Sequence, residues 1–465
     1  MPRSSQLTIV ATTAAAVMVG IDFVGVASVL TEIERDLDAG ISSSQWMLNL
    51  YALTFGMGIV AGGKLGDTFG HRKVLLIGLG IFAAASLGVV LSSHIVPAIG
   101  FRGAQGVGGA LIWPTIIAIS FNAVPASRSA IAIGIVVGGA GFGNVLGPLL
   151  GGAFSELATW KLLFAINIPI SLLVGVMALR LIPREAPRPG ERNLDLLSTT
   201  ALALALLALI YSLDVGSDWG WTSPGVIALW AGALGLLAVF GVREPRSSDP
   251  LIPPALMRDR GFVAALLANG LITPAWFSFF VYVPQYLQKT LGYSPFEAGA
   301  GLLPAMAAFA IVSPIGGRFY ARFGPRLLIG VGYAATAVAA LNLAIVEPDW
   351  GYWGLLPGLL LVGAGAGMAI PSAGSAAVGA VDAEHSGAAG GLSFMFHLVI
   401  GAAGVAIGTA LFASQVSESV VGDEFAVGMH AAMWFCAAVA VLGIANSRLV
   451  RTKDVRGQGD AEGAG

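Results

Sequence analysis

The sequence predicts an all-α membrane protein of fourteen transmembrane helices, and three observations carry that prediction. Apolar runs of about 20 residues recur along the chain, the length an α-helix needs to cross a bilayer core. Only 11% of the 465 residues are charged and 56% are hydrophobic, whereas a soluble domain carries roughly 25% charge. Glycine is abundant, at 64 residues, and within apolar runs it marks helices packed backbone to backbone. Too little polar surface remains to cover a water-soluble core, so lipid is the solvent for much of the chain.

The expected spans are 7–30, 46–65, 73–92, 97–120, 129–154, 161–181, 196–213, 224–242, 261–285, 296–317, 326–346, 352–372, 386–413 and 427–447. The first is too long for a signal-peptide core and has no small-residue cleavage site, so it is read as a retained span. Lys and Arg set the orientation. Arg3, Lys64, Arg72, Lys73, Arg128, Arg184, Arg243, Arg260, Arg322, Arg326 and Arg448 fall on one side, with only Arg35, Lys161 and Lys289 opposite. The positive-inside rule then places both termini in the cytoplasm, in a cytoplasmic (inner) membrane.

The net charge of −2 gives no basic field for nucleic acid. Cys436 stands alone, so no internal disulfide or cysteine metal site is expected; it is read as a packing residue. No metal-ligand cluster, nucleophile triad or phosphate loop stands out. The expectation is a non-enzyme without cofactor, monomeric and surrounded by lipid.

An internal repeat divides the chain. GGKLGDTFGHRK (62–73) follows the second span and GGRFYARFGPRL (316–327) the tenth. Gly63 aligns with Gly317, Phe69 with Phe323, Gly70 with Gly324 and Arg72 with Arg326. The expected organisation is a six-helix half at 1–182; a linker, two inserted spans and a loop at 183–258; a second six-helix half at 259–448; and a disordered tail at 449–465. Two similar halves facing each other across a midplane site are a transporter architecture.

Few ionisable groups lie deep in the spans. Asp22 sits in the first, Arg102 in the fourth and His397 in the thirteenth. A lone charge in hydrocarbon is costly, so such groups face a partner or a wet cavity. Burial and a nearby Arg push a carboxylate's proton affinity in opposite directions, which makes Asp22 a candidate proton carrier balanced by Arg102. Arg102 and Gln105 share a helix face. Gly143, Gly147 and Gly151 recur at four-residue spacing, a pattern for tight helix contact, and Pro148 bends that helix, suiting a rocking interface between halves. Gly63, Asp67, Gly70 and Arg72 lie where two helix ends meet and can lock one conformation. Gln105, Trp113, Asn144, Trp276, Phe280, Phe394 and His397 are the candidates for lining a lipophilic substrate cavity.

Together these motifs resemble the major facilitator superfamily, in particular its fourteen-span drug:proton antiporter branch. Gly63, Gly66, Asp67, Gly70, Arg72 and Lys73 match the family's first loop motif. Arg102, Gln105 and Gly106 match its span-four motif; Gly143, Gly147, Pro148, Gly151 and Gly152 match the span-five antiporter motif. GIDFVGVASVL is similar to the branch's span-one motif, with Asp22 as its acid. The resemblance implies the major facilitator fold, proton coupling through Asp22 and Arg102, and export of small lipophilic, neutral or monocationic drug-like compounds in exchange for protons. The proton gradient is then the energy source. Val24 stands where the branch has Thr, Ala321 where the first loop has Asp67, and His397 where span thirteen usually has another pattern. Export of a single endogenous metabolite, lipid or antibiotic, proton symport, and a non-transporting receptor are the competing expectations.

Overall fold

Long apolar stretches with glycine in place of bulky side chains satisfy their own backbone groups as helices and then pack closely. The computed structural model describes residues 3–124, 126–183, 196–247, 250, 254–381, 386–416 and 423–450. The expected linker beyond residue 183 and the tail beyond residue 450 lie outside the described residues.

The helices are α1 (Arg3–Ser28), α2 (Leu30–Asp36), α3 (Ile41–Phe69), α4 (His71–Leu91), α5 (Ile95–Asn122), α6 (Ala126–Leu157), α7 (Leu162–Ala165), α8 (Asn167–Leu181), α9 (Leu196–Trp219) and α10 (Pro224–Arg243). They continue as α11 (Pro254–Met257), α12 (Arg260–Gly270), α13 (Thr273–Lys289), α14 (Pro295–Ala300), α15 (Leu303–Leu343), α16 (Gly351–Gly379), α17 (Ser386–Ala413) and α18 (Asp423–Ser447).

Among the described residues, twelve helices are long and apolar enough to cross a membrane, so length and composition alone do not confirm fourteen. The expected seventh span forms α9, whose apolar part is the shorter stretch Thr200–Leu213. The expected second span forms the 29-residue α3, which carries Gln45 and Asn49 in its first turns. The expected ninth span is broken: α12 ends at Gly270, and α13 resumes at Thr273 with Pro274 in its first turn. Pro274 has no N–H to give the preceding turn, and Thr273 Oγ1 donates to the Gly270 carbonyl at 2.5 Å.

The repeat is visible in the packing. In the first half, α1 packs on α6 and α8, α3 on α5, and α4 on α5 and α8. In the second, α13 packs on α17 and α18, and α15 on α16 and α18. The halves meet along two seams that mirror each other: α3 lies on α17, and α14 lies on α6. Close approach at both depends on glycine. A Cβ on Gly56 would meet Leu398, and Cβ atoms on Gly152 and Gly299 would run into the backbone of Pro295 and Pro148. The α9–α10 pair leans on α17 and α3 through α9.

The loop repeat also has a structural counterpart. Gly70 has φ 90° and Gly324 φ 74°, the left-handed region that other residues enter only at a cost. Arg72 Nη2 donates to the Leu179 carbonyl at 2.8 Å, and Arg326 Nε to the Val450 carbonyl at 2.7 Å. Arg72 thus satisfies an orphan carbonyl in the last turn of α8, where helix polarity favours a cation, and Arg326 binds a carbonyl just beyond the end of α18.

Candidate functional site

Among the described residues, the first half holds one fully buried ion pair. α1 supplies Asp22 and α5 supplies Arg102 and Gln105, three residues apart on one face. Arg102 Nη1 lies 2.5 Å from Asp22 Oδ2, with both side chains wholly buried. The same Nη1 donates to Gln105 Oε1 at 2.8 Å, and Gln105 Nε2 donates to Asp22 Oδ1 at 3.2 Å. Arg102 Nε donates to the Met47 carbonyl of α3 at 2.8 Å. A snorkelling arginine would reach for the membrane surface; this one turns inward.

Two residues that the sequence reading missed complete the cluster. Asn167 Nδ2, at the start of α8, donates to Asp22 Oδ1 at 2.8 Å. Ser86 Oγ of α4 accepts from Gln105 Nε2 at 2.7 Å and from Asn167 Nδ2 at 3.4 Å. Their only sequence signal is polarity inside an apolar run, which many helix-packing residues share. A buried ion pair is tolerable because both charges are answered; removing one partner of such a pair costs about 3–5 kcal/mol. Three polar atoms in and beside the cluster are buried without partners: Arg102 Nη2, Asn167 Oδ1 and the Tyr51 hydroxyl.

Glycine spacing brings Asp22 to its place. Cβ atoms on Gly143 and Gly147 would meet the carbonyls of Val17 and Ile21 at 2.3 and 2.7 Å, and one on Gly151 would meet Ser28 Oγ at 2.4 Å. The string therefore faces α1 of its own half. The contact with the other half falls on Pro148 and Gly152, against α14.

Tyr51 of α3 connects the ion pair to the seam between halves. The Arg102 guanidinium carbon lies 4.1 Å from its ring centroid, a desolvated cation–π contact. From Tyr51 runs a closed circuit of aromatic contacts: Phe23, Phe277, His397, Phe394, Phe55 and back to Tyr51, each pair of centroids 5.5–5.9 Å apart. Phe23, Tyr51 and Phe55 come from the first half; Phe277, Phe394 and His397 come from the second. Beside the circuit lies a narrow, mostly apolar cavity lined by Phe23, Val24, Tyr51, Phe277, Phe280 and Val405, among others.

The expected cavity residues divide among three places. Trp113 stacks on Phe394 at 5.8 Å, and Phe280 lines the cavity. Trp276 packs on Phe280 and Phe309. Gln105 belongs to the ion-pair cluster, and half-buried Asn144 sits beside Gly20 of α1. Among the lock residues, Gly70 and Arg72 act as described above, and Gly63 lies near Pro114. The Asp67 side chain is outside the described residues.

At the α2 end of the bundle a second ion pair crosses between halves. Lys289 Nζ of α13 lies 2.5 Å from Glu34 Oε2 of α2, and Ser44 Oγ donates to Glu34 Oε1 at 2.9 Å. Gln288 Nε2 donates to the Ser28 carbonyl at 3.3 Å, and Thr409 of α17 donates to Gln45 of α3.

The sequence is similar to those of known resistance and export proteins. It is 30% identical over 419 residues to the tetracenomycin C resistance and export protein of Streptomyces glaucescens, covering 90% of this chain and 78% of that protein. It is 31% identical over 422 residues to the multidrug resistance protein Stp of Mycobacterium tuberculosis (strain ATCC 25618 / H37Rv), with the same coverage. It is 29% identical over 427 residues to the methylenomycin A resistance protein of Bacillus subtilis (strain 168), covering 91% of each. Two solved structures share the fold at 16% identity. A bacterial homolog of the human lysosomal transporter Spinster, inward-facing and occupied, has a TM-score of 0.66 over 95% of this chain and 96% of that one. A point mutant of the peptide transporter POT, in complex with sulfate, has a TM-score of 0.68 over 95% of each. The family model described as Major Facilitator Superfamily matches residues 12–405 and 267–464. A match that runs through both halves, on helices whose packing repeats between them, places this chain in the Major Facilitator Superfamily, as a membrane transporter and not an enzyme.

Proposed function

We propose that the protein exports small lipophilic, neutral or monocationic drug-like compounds across the cytoplasmic membrane in exchange for protons. The roles of the relatives, resistance to and export of antibiotics, support the export direction. The observation that carries the coupling is the Asp22–Arg102 pair, buried and 2.5 Å apart, with Tyr51 linking it to the aromatic circuit between halves.

In this scheme substrate enters from the cytoplasmic side and docks at the circuit while Asp22 is ionised. A proton from outside neutralises Asp22 and frees Arg102 of its counter-charge. The shift passes through the Tyr51 ring to the seam. For a neutral solute, one charge crossing 100 mV contributes about 2.3 kcal/mol and each pH unit about 1.4; exchange of one proton for one monocation is electroneutral and is driven by the pH gradient alone. Fourteen spans, including α3 and α9, with both termini in the cytoplasm and a monomer as the working unit, complete the proposal. The α2 end then faces outward, and the Glu34–Lys289 pair is its closure.

The test is ethidium-dependent proton flux in proteoliposomes. Wild type is expected to couple ethidium movement to protons, while Asp22→Asn moves ethidium only downhill with no proton counterflow. Proton flux that survives in Asp22→Asn would sink the proposal.

A further inference from the structure

Asp22 is surrounded by donors. Arg102 Nη1, Gln105 Nε2 and Asn167 Nδ2 all point hydrogens at its carboxyl oxygens. That set suits a carboxylate, which only accepts. A carboxylic acid brings an O–H of its own, and a buried donor without an acceptor is unfavourable. The acceptors inside the hydrogen-bonded cluster are already engaged: Gln105 Oε1 by Arg102, Ser86 Oγ by Gln105, and the Met47 carbonyl by Arg102 Nε; the unpartnered Tyr51 hydroxyl is not hydrogen-bonded to Asp22. Asn167 Oδ1 is buried without a partner, on the amide that already touches Asp22 Oδ1.

We propose that Asn167 is the positioning residue that serves both protonation states of Asp22. Its Nδ2 donates to the carboxylate, and after a half-turn of the amide its Oδ1 accepts the O–H of the carboxylic acid. The inference rests on the reading of Asp22 as the proton carrier. The amide orientation seen here follows from the ionised partner, which has no hydrogen to offer. When a proton adds to Asp22 Oδ1, its O–H joins the N–H donors of Asn167 at 2.8 Å and Gln105 at 3.2 Å on one oxygen. Turning the amide removes that conflict and gives the orphan acceptor its bond. No heavy-atom bond forms or breaks; Asp22 goes from one negative charge to none.

The groups facing Asp22 are Arg102 and Gln105 on α5, Ser86 on α4 and Asn167 on α8, with Tyr51 of α3 close enough to feel both charges. α6 brings glycine backbone to this stretch of α1 at Gly143 and Gly147, and the Asn144 side chain lies beside Gly20. Among these groups Asn167 combines a donor already on Asp22 with a free acceptor. It lies at the start of α8, just past the break at Ile166.

The experiment compares Asn167→Thr with Asn167→Val in the full-length protein. The two side chains have the same shape, and only Thr carries a hydroxyl that can turn from donor to acceptor. Infrared difference spectra across a pH step isolate the Asp22 acid as the carbonyl band missing from Asp22→Asn. The band is expected at the same position in wild type and Thr, and at higher wavenumber in Val, where the acid O–H has no acceptor. Ethidium-dependent proton flux is expected to fall about tenfold from Thr to Val, the ratio one hydrogen bond of this kind produces. Ethidium exchange at equal pH, which needs no proton, should match in the two variants. Identical bands in Thr and Val, or equal loss of flux and exchange in Val, would overturn the role of Asn167. Absence of any band that Asp22→Asn removes would instead overturn the reading of Asp22 itself.

Discussion

The Arg102 guanidinium carbon sits 4.1 Å above the Tyr51 ring while its Nη1 holds Asp22 at 2.5 Å. One side chain thus joins the buried charge of the first half to the aromatic seam shared by both. Coupling needs a contact of this kind, because a change at one site must alter contacts at the other to bias a conformational equilibrium.

Tyr51 should tolerate loss of its hydroxyl but not of its ring. The hydroxyl has no hydrogen-bond partner, so Tyr51→Phe is expected to export ethidium from energised cells near the wild-type rate. Tyr51→Leu removes a desolvated cation–π contact worth about 2 kcal/mol and opens the circuit at Phe23 and Phe55. Its export rate should fall at least about tenfold, and equal rates in the two variants would refute the link.

Arg102 should not be replaceable by Lys. Its fork reaches the Met47 carbonyl through Nε and both Gln105 and Asp22 through Nη1, and an ammonium cannot span that geometry. Arg102→Met should cost about 3–5 kcal/mol by stranding the Asp22 charge. Adding Asp22→Asn should recover most of that loss. Thermal unfolding of the two single variants and the double in detergent measures the coupling.

The two loop glycines should behave alike. Gly70→Ala and Gly324→Ala each force a side chain into the left-handed region, at about 1–2 kcal/mol. Gly63→Ala is the contrast. Its added methyl would meet Pro114 at 3.7 Å, ordinary contact, and alanine favours the helix by about 0.5–1 kcal/mol. Melting temperatures should therefore fall for the first two and hold or rise for the third.

The Glu34–Lys289 contact should be restorable by exchange of charge. Glu34→Lys places two cations at the crossing between halves. In a Val281→Cys background, with the thiol in the cavity wall, it should increase labelling by a membrane-impermeant reagent. Glu34→Lys combined with Lys289→Glu should return labelling toward the level of Val281→Cys alone. Labelling unchanged throughout would mean that the pair, whose side chains are 12% and 11% exposed, does not close this end.

Glu32 gives that end a pH dependence. Burial holds its carboxyl above the ordinary 4.5, against the opposing pull of its backbone hydrogen bond and of Arg35. A carboxyl raised in the fold favours the neutral form there. Its contribution to stability is full below 4.5 and is lost as pH rises through the raised value. Glu32→Gln should raise the melting temperature at neutral pH and flatten its decline from acid to neutral. A steeper decline in the variant would reverse the assignment.

Composition and local pattern were enough to establish the class of molecule, and the repeated loop motif pointed to two related halves. Apolar length and scarce charge leave no other solvent than lipid, and a repeated loop motif at Gly70 and Gly324 was legible because a left-handed turn admits few residues. Asp22 and Arg102 were legible because a charge in an apolar run is rare and costly. That Asn167 and Ser86 complete their cluster emerged only in the folded bundle, since a polar residue in a helix gives no sign of which distant helix it will face. Gln105 looked like a cavity residue from its helix face, and the fold turned it to the ion pair. The break between α12 and α13 was hidden because one apolar run covers both pieces. The aromatic circuit joins the halves, with Phe23, Tyr51 and Phe55 against Phe277, Phe394 and His397, and no local pattern encodes a contact between residues so far apart along the chain. Helix formation and burial are local energies that a sequence displays; the pairing of faces is a sum over long-range contacts that only the folded bundle fixes.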